Sequence, residues 1–434
     1  MFAFAVLACA PEPLPPGKVV DAGDVSVSAA AEAGDSGAVG LAETAPTACA
    51  TPIYVAAAGN STAAPVFADA HVQQWGAFPN PARVRLSFGD DPSTSMNVLW
   101  TTDHLTKATQ LQLGSTLAYG YTLTGASFQM GLDTDDVRVH ELRICGLQPG
   151  RTYHYRVGGE GHWSPDAMLT TAPTPGVATT FTFGVAGDSR GSPATWQQVA
   201  AAMHAQGVDF IVYNGDAVVN GGSMPEWKSW LDATVGVSED TPMVNIMGNH
   251  EMHHQYWYGF VSQPGNEVWF SFDYANAHLD VLLDTVVTPD QWTTEAAWLV
   301  SDLAASTQPW KFSLEHKSAY ASSKTSGADR SVYTYFVDPL ENGGVSLSFA
   351  GHSHRYERSV ALRDNVAVGA EDGVTYVVSG GAGAPLYTTS NDFWYTAVQA
   401  STYNYLIVSV DGSVMEYTAY DLAGNVLDAF TTTR

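Results

Sequence analysis

The chain has 434 residues, enough for two or three domains with a large buried core, and sets 18 Lys and Arg against 44 Asp and Glu for a net charge of −26. Only 14% of residues are charged and 45% are hydrophobic, which excludes a globally disordered chain, and three cysteines exclude a disulfide-dense scaffold. So acidic a surface repels phosphate backbones and anionic membranes, which argues against general nucleic-acid binding; an anionic substrate would need a local positive charge such as bound metal.

The chain opens MFAFAVLACA, an apolar run reaching Val6-Leu7-Ala8-Cys9. Small residues before a cysteine resemble the end of a bacterial lipoprotein signal. Residues 1–9 therefore read as a signal or lipobox remnant with Cys9 as lipidation candidate, and a plain secretory segment is the alternative. Both expect an exported protein, either secreted, periplasmic or an outer-surface lipoprotein tethered to a membrane through Cys9. Residues 10–72 are Ala, Gly, Pro, Ser and Thr with scattered acids. That composition buries too little apolar surface to offset chain entropy and reads as a flexible tether. Cys49 and Cys145 are then a disulfide candidate in an oxidising compartment, with two unpaired thiols as the alternative. No stretch is long and apolar enough to span a bilayer.

Residues 73–173 read as an all-β sandwich of fibronectin or immunoglobulin type. The segments 82–88, 96–102, 109–114, 136–144 and 152–158 alternate apolar and polar side chains, with Gly, Pro and Asp clusters between them. Alternation with period two expects one face of each strand in a core and the other in water. Ala172-Pro173-Thr174-Pro175-Gly176 breaks the pattern and reads as a hinge.

Residues 177–434 follow a different pattern. Apolar runs at 181–187, 209–214, 242–248, 279–283, 310–315, 345–351 and 374–379 are nearly continuous, as in strands covered on both faces. A helix is expected from Ser192-Pro193 through Trp196, Val199, Ala200 and Met203, with Ser192 as its N-cap. A second follows Thr293-Thr294-Glu295 through Trp298, Leu299 and Leu303. From Val374 onward strands and hairpins return, with 404–410 and 413–420 joined at Asp411-Gly412. Strands alternating with helices make this an α/β domain, whose sites lie beyond the strand ends.

Polar residues stand at those ends. Asp188 follows 181–187, Asp216 follows 209–214, Asn249 and His250 follow 242–248, His316 closes 310–315, and His352 and His354 follow 345–351. Singly, each has an ordinary explanation as a turn, a cap or a surface histidine. Together, two carboxylates, one amide oxygen and three imidazoles suit two metal ions, and a carboxylate between the ions could bridge them.

The series GDSR (187–190), NGDAVV (214–219), GNHE (248–251), LEH (314–316) and GHSHRYER (351–358) resembles the calcineurin-like metallophosphoesterases, and within them the purple acid phosphatase branch. The resemblance covers roughly residues 75–425. It implies a fibronectin-like domain followed by a four-layer α/β/β/α catalytic domain and a dinuclear centre of iron, zinc or manganese. By the same resemblance Asp216 bridges, Asp188 and His354 hold the first metal, and Asn249, His316 and His352 hold the second. His250 would give a proton to the leaving oxygen of a small phosphomonoester, with Asn249 and His250 also facing substrate.

The departures from that pattern are specific. Val219 stands where the branch has its iron-binding tyrosine, so no purple colour is expected, and Tyr213 and Asn214 are nearby candidates to complete the first site. Arg190 stands where other superfamily members carry a histidine, and reads either as a phosphate fork beside the catalytic groups or as a structural ion pair. Lys324 stands in a stretch where relatives carry histidines. Glu251 and Arg358 read as supports, and His253 and His254 as pocket lining or surface residues. Trp257, Tyr258, Trp394 and Tyr395 form either a leaving-group wall or ordinary core. Two other readings stay open: a phosphodiesterase or broad-specificity phosphoester hydrolase, and a non-catalytic surface-binding protein that uses its sandwich domain.

Overall fold

A computed structural model describes residues 28–29, 45–49, 68–131, 136–285, 287–323, 326–389 and 393–434. Cys9, most of the segment 10–72 and Lys324 lie outside the described residues. No helix among the described residues is long and apolar enough to cross a membrane.

The N-terminal part is two antiparallel sheets. One runs in the order Ser28–Ala29, Tyr121–Thr124, Gln110–Gly114, Thr152–Gly158, Ala167–Thr170. The other runs Asp69–Ala70, Ala126–Met130, Val137–Cys145, Ser95–Thr102, Ala82–Phe88, with Thr47–Ala48 also pairing to Val137–Cys145. Leu86, Val98, Trp100, Leu111, Leu113, Leu142, Tyr155 and Val157 fill the space between them. Cys49 and Cys145 are joined in a disulfide, Cα to Cα 5.3 Å, which fixes Thr47–Ala48 to the sheet.

Here the alternation misled in one respect. The outer face of the second sheet, expected in water, is covered by the C-terminal part, and all of Ser95–Thr102 is buried. Arg85 Nε donates to the Phe260 carbonyl at 2.9 Å, the Asn97 side chain donates to the Ser262 carbonyl, and Ser262 Oγ donates to Glu141 at 2.8 Å. Arg143 pairs with Glu267 at 3.2 Å and Arg83 with Asp232 at 2.7 Å. Leu99, Phe128, Met130 and Val139 join an apolar cluster with Trp230, Trp257 and Phe260. The polar positions of the pattern thus face a partner domain. The linker is anchored at both ends. Ala172 N donates to the Pro92 carbonyl and Gly176 N to the Ala275 carbonyl at 2.7 Å, so each end is strapped to a different domain.

The C-terminal part has two sheets face to face. One is ordered Met243–Asn245, Phe210–Tyr213, Phe181–Ala186, Asn404–Asp411, Val414–Asp421, Val426–Thr433, its first three strands parallel. The other is ordered Phe270–Tyr274, Ala277–Val281, Trp310–Leu314, Leu347–Ala350, Val374–Ser379, Tyr356–Arg363, Val366–Ala367, with Thr396–Ala400 beside Tyr356–Arg363. Phe183, Val185, Phe312, Leu314, Phe349 and Leu406 pack between the sheets. Helices Pro193–Ala205 and Met224–Asp232 cover the first sheet, and Pro289–Ala305 and Arg330–Gly343 cover the second, giving the four layers. Arg358 grips Asp428 with two nitrogens, at 2.7 and 3.2 Å, and ties the two sheets together.

Two helix starts differ from expectation. Ser192 precedes Pro193 as read, but its hydroxyl meets Thr195 Oγ1 at 2.8 Å and caps no backbone N–H. The other helix begins earlier, at Pro289, because Thr288 and Gln291 form a reciprocal capping box.

Candidate metal centre

The polar residues named above meet at one end of the two sheets. Each follows a strand within five residues, so the ladder hydrogen bonds fix the loop stem from which the side chain is delivered. Asp188, Asp216 and His352 all have positive φ, at 62°, 57° and 62°. Non-glycine residues hold such a conformation at a cost of order 1–3 kcal/mol each, and only where the surroundings impose it. The surroundings do so here. Asp188 N donates to the Gly215 carbonyl, His352 N donates to Asp188 Oδ2 at 2.7 Å, and Asp216 N donates to Glu251 Oε2 at 3.0 Å. Two glycines are required by close approach: a Cβ on Gly215 would come 2.6 Å from His316 Nδ1, and one on Gly351 would come 2.5 Å from Asp188 Oδ2.

Two groups of acceptors form around Asp216. In one, Asp188, Asp216 and His354 bring a ligand atom each within 4.8 Å of one another; in the other, Asp216, His316 and His352 do the same. Asn249 Oδ1 lies 3.2 Å from His316 Nε2 and joins the second group. The histidine tautomers are set from outside. His316 Nδ1–H donates to the Asn214 carbonyl at 2.7 Å and His354 Nδ1–H to the Pro385 carbonyl at 2.8 Å. Each Nε2 faces carboxylate, 3.4 Å from Asp216 Oδ1 and 3.5 Å from Asp188 Oδ1 respectively. Asp188 Oδ1, fully buried, has no hydrogen-bond partner among the described residues. Carboxylate, amide and imidazole acceptors converging in a buried place are a donor set suited to cations.

The local electrostatics say the same. Burial raises the Asp188 carboxyl, although His354 and the charge of His316 oppose the rise. Burial would lower His316, but the charges of Asp216, Asp188 and Asp284 overcome it and lift the imidazole to about 9. Burial, with the charge of His316, takes His352 down to about 3. Glu251 holds the centre from beneath. Its carboxylate accepts from the N–H groups of Asp216, Ala217 and Gly248, and burial, then the nearby Asp216 charge, lifts it to about 7.

His250 stands at the rim. Its Nδ1–H donates to the Val219 carbonyl at 2.7 Å, and its Nε2 faces inward, 3.9 Å from Asp216 Oδ2. Arg190 lies inside the centre, with Nε 3.2 Å from Asp216 Oδ2 and Nη2 3.2 Å from His354 Nε2. Its ion pair and its position beside the acceptors therefore coexist. Val219 itself is half-exposed beside this rim. Tyr213 does not enter the centre: its hydroxyl is taken by Ser189 N and Oγ, and burial raises it far above the usual phenol range. Asn214 contributes its backbone carbonyl.

His253 and His254 neither line the centre nor lie free on the surface. His253 is buried between the Tyr258 hydroxyl and the Thr285 carbonyl, and His254 caps the short helix Gln255–Phe260 through Nδ1. Trp257, Tyr258 and Tyr395 belong to the cores, while Trp394 is exposed. Two contributors carried no sequence signal as site residues. Pro385 acts through its carbonyl, and Tyr387 stacks on the His354 ring at 4.2 Å. The only trace of them is the glycine-rich stretch 380–385, which lets Ala382 N and Ala384 N pair with Gly187 and Asp188.

Comparison with known proteins returns the same architecture. Residues 81–171 match the family model described as purple acid phosphatase, N-terminal domain, and residues 181–356 match that of calcineurin-like phosphoesterase, together more than half of the chain. Purple acid phosphatase 22 of Arabidopsis thaliana is 26% identical over 249 residues, which take in 53% of this chain and 56% of that protein. Purple acid phosphatase 18 of the same plant is 24% identical over 301 residues, 64% of this chain and 66% of that protein. The chain thus spans between about half and two thirds of the length of these relatives. Among solved structures, the purple acid phosphatase PPD1 from yellow lupin (Lupinus luteus) seeds shares the fold, with a TM-score of 0.71 at 19% identity over 82% of this chain and 75% of that one.

Proposed function

Because the chain belongs to the calcineurin-like metallophosphoesterases, in their purple acid phosphatase-like branch, we propose that its two acceptor groups hold two metal ions and that the centre hydrolyses a small phosphomonoester. The observation that carries this reading is Asp216, which is common to both groups and so stands where one carboxylate could serve two ions. Asp188, Asp216 and His354 would hold one ion, and Asp216, Asn249, His316 and His352 the other. Bound metal of this kind supplies Lewis-acid stabilisation of phosphoryl oxygens and brings the pKa of water from about 15.7 toward about 7.

The chain's own groups divide the remaining work. Val219 holds the His250 ring by Nδ1–H, so a proton on Nε2 is positioned for transfer to the departing oxygen. Arg190 presents Nε and Nη2 on one side of a planar fork, the geometry that binds two phosphoryl oxygens, and its present partners are acceptors that metal would occupy. Glu251, bonded to four backbone N–H groups, keeps Asp216 and the Gly248-Asn249 turn in register. The β domain packs on the helix Gln255–Phe260, just beyond Asn249 and His250, and so buttresses that turn. Export is part of the proposal, supported by the Cys49–Cys145 disulfide, which persists in oxidising compartments.

The test is to load the purified chain separately with iron, zinc and manganese and compare p-nitrophenyl phosphate with bis-p-nitrophenyl phosphate, using Asp216→Asn as blank. Faster monoester turnover by a colourless enzyme is expected, since Val219 has no phenolate to bind iron. A diester preference would replace the monoester reading. No turnover of either ester above the blank would favour the binding-protein reading.

A further inference from the structure

A third group of metal-ligand types lies away from the centre. His278 and Asp280 are two apart on the strand Ala277–Val281 and so share one face, which looks onto the helix Pro289–Ala305 and its Asp302. A ring nitrogen of His278 and a carboxylate oxygen from each of Asp280 and Asp302 all lie within 4.8 Å of one another. His278 sits level with Lys311, near the start of the strand whose far end delivers His316, so the group is separate from the candidate catalytic centre.

Its details are those of a built ligand set. Asp273, directly across the antiparallel pair from His278, takes the Nδ1–H at 2.7 Å, and Gln308 Nε2 holds the other Asp273 oxygen at 2.9 Å. A carboxylate on the far nitrogen is the usual support of a metal-bound histidine, because it fixes the tautomer and strengthens the lone pair. Nε2 then points at Asp302 Oδ2, 3.1 Å away, and at Asp280 Oδ1, 3.5 Å away. Asp280 is wholly buried, and neither of its oxygens has a hydrogen-bond partner among the described residues. A proton on Nε2 serves Asp302 at 3.1 Å and gives Asp280 only the longer contact at 3.5 Å, a poorly met need for a buried carboxylate. The nearest strand neighbour with a positive charge, Lys311, donates instead to the carbonyls of Leu303 and Gly343. Asp302 and Asp273 keep partial exposure, which gives an ion a way in.

We propose that His278 Nε2, Asp280 and Asp302 form a divalent transition-metal site, of the zinc or manganese type, that clamps the helix Pro289–Ala305 to the edge of the second sheet. One imidazole and two carboxylates form a three-ligand set, which leaves room for a solvent ligand.

The full chain is dialysed with Zn²⁺, freed of excess, and its zinc counted in wild type, Asp280→Asn and His278→Phe; crystals of the wild type are measured at the zinc absorption edge. The expected result is one equivalent fewer in each variant, p-nitrophenyl phosphate turnover within about twofold of wild type, as for uncoupled sites, and an anomalous peak beside His278 Nε2, Asp280 and Asp302. The count is a difference between chains, so it stands whether or not the catalytic centre loads. If a variant fails to fold, the wild-type peak decides. No peak at that place in zinc-soaked crystals, or equal zinc in wild type and folded variants, overturns the site and leaves His278 as an imidazolium bridging carboxylates.

Discussion

His140 in the β domain and His316 in the candidate centre are both fully buried, yet their surroundings differ in kind. His140 lies flat on Trp100, ring centroids 5.0 Å apart, between the hydroxyls of Thr102 at 2.7 Å and Thr109 at 2.8 Å. A hydroxyl both donates and accepts, so either tautomer satisfies both ring nitrogens and no lone pair is left over. His316 has a carbonyl at Nδ1, which only accepts, and around Nε2 a carboxylate, an amide oxygen and the Nδ1 of His352. One environment completes a histidine; the other orients it and leaves it short of a cation. Partner chemistry separates the structural histidine from the functional one, and burial does not.

That contrast gives its largest prediction in a pair of variants. His316→Gln should lower turnover about 10⁴-fold or more, from loss of metal stabilisation worth several kcal/mol, while its melting temperature stays close to wild type. His140→Gln should do the reverse, costing about 1–3 kcal/mol of stability from the lost ring hydrogen bonds and the lost stacking on Trp100 with turnover unchanged. Turnover surviving in His316→Gln would break the comparison. The next effect lies wholly in the β domain. The disulfide joins positions 96 apart, and removing it as Cys49→Ser with Cys145→Ser should cost about 4 kcal/mol in denaturant unfolding, again without changing the chemistry of the folded enzyme. His250→Gln sharpens the other side: its ring is partly exposed, so stability should hold while kcat falls roughly 10²–10³-fold, most strongly for esters with poor leaving groups.

The last effect is one of pH. Burial, helped by the charges of Arg138 and His71, pushes His140 down to about 3 from an ordinary 6.5. Between those values the unfolded chain takes up a proton that the folded one refuses. His140 therefore contributes its full stability above pH 6.5 and loses it as pH falls toward 3, by at most about 1.4 kcal/mol per pH unit. Unfolding curves from pH 7 downward should show a shallower acid limb in His140→Gln than in wild type. Identical limbs would mean the imidazole charges in the folded state.

How much of this was written in the sequence follows the range of the interactions. Period-two alternation located 82–88, 96–102 and 152–158, because a strand's burial pattern is local, and apolar runs ending in Asp, Asn or His located the centre. Alternation does not tell which partner covers the polar face, so Arg85, Asn97, Glu141 and Arg143 looked solvent-facing when they meet the second domain. The helix Arg330–Gly343 escaped notice since Pro339 interrupts it, and Met224–Asp232 because it is only nine residues long. The His278 group was invisible for another reason: Asp273, His278, Asp280 and Asp302 are ordinary spacings on a hairpin and a helix, and only the strand register and the helix position bring them together.

The most direct test of the account is turnover against metal content. The full chain is stripped with chelator, reloaded with each metal in turn, and its metal counted while p-nitrophenyl phosphate hydrolysis is followed, with Asp216→Asn treated identically. The account predicts no hydrolysis by the stripped chain, recovery on loading, and none in Asp216→Asn. A chain free of metal that hydrolyses the ester as fast as the loaded one, or an Asp216→Asn chain that matches wild type, would contradict it.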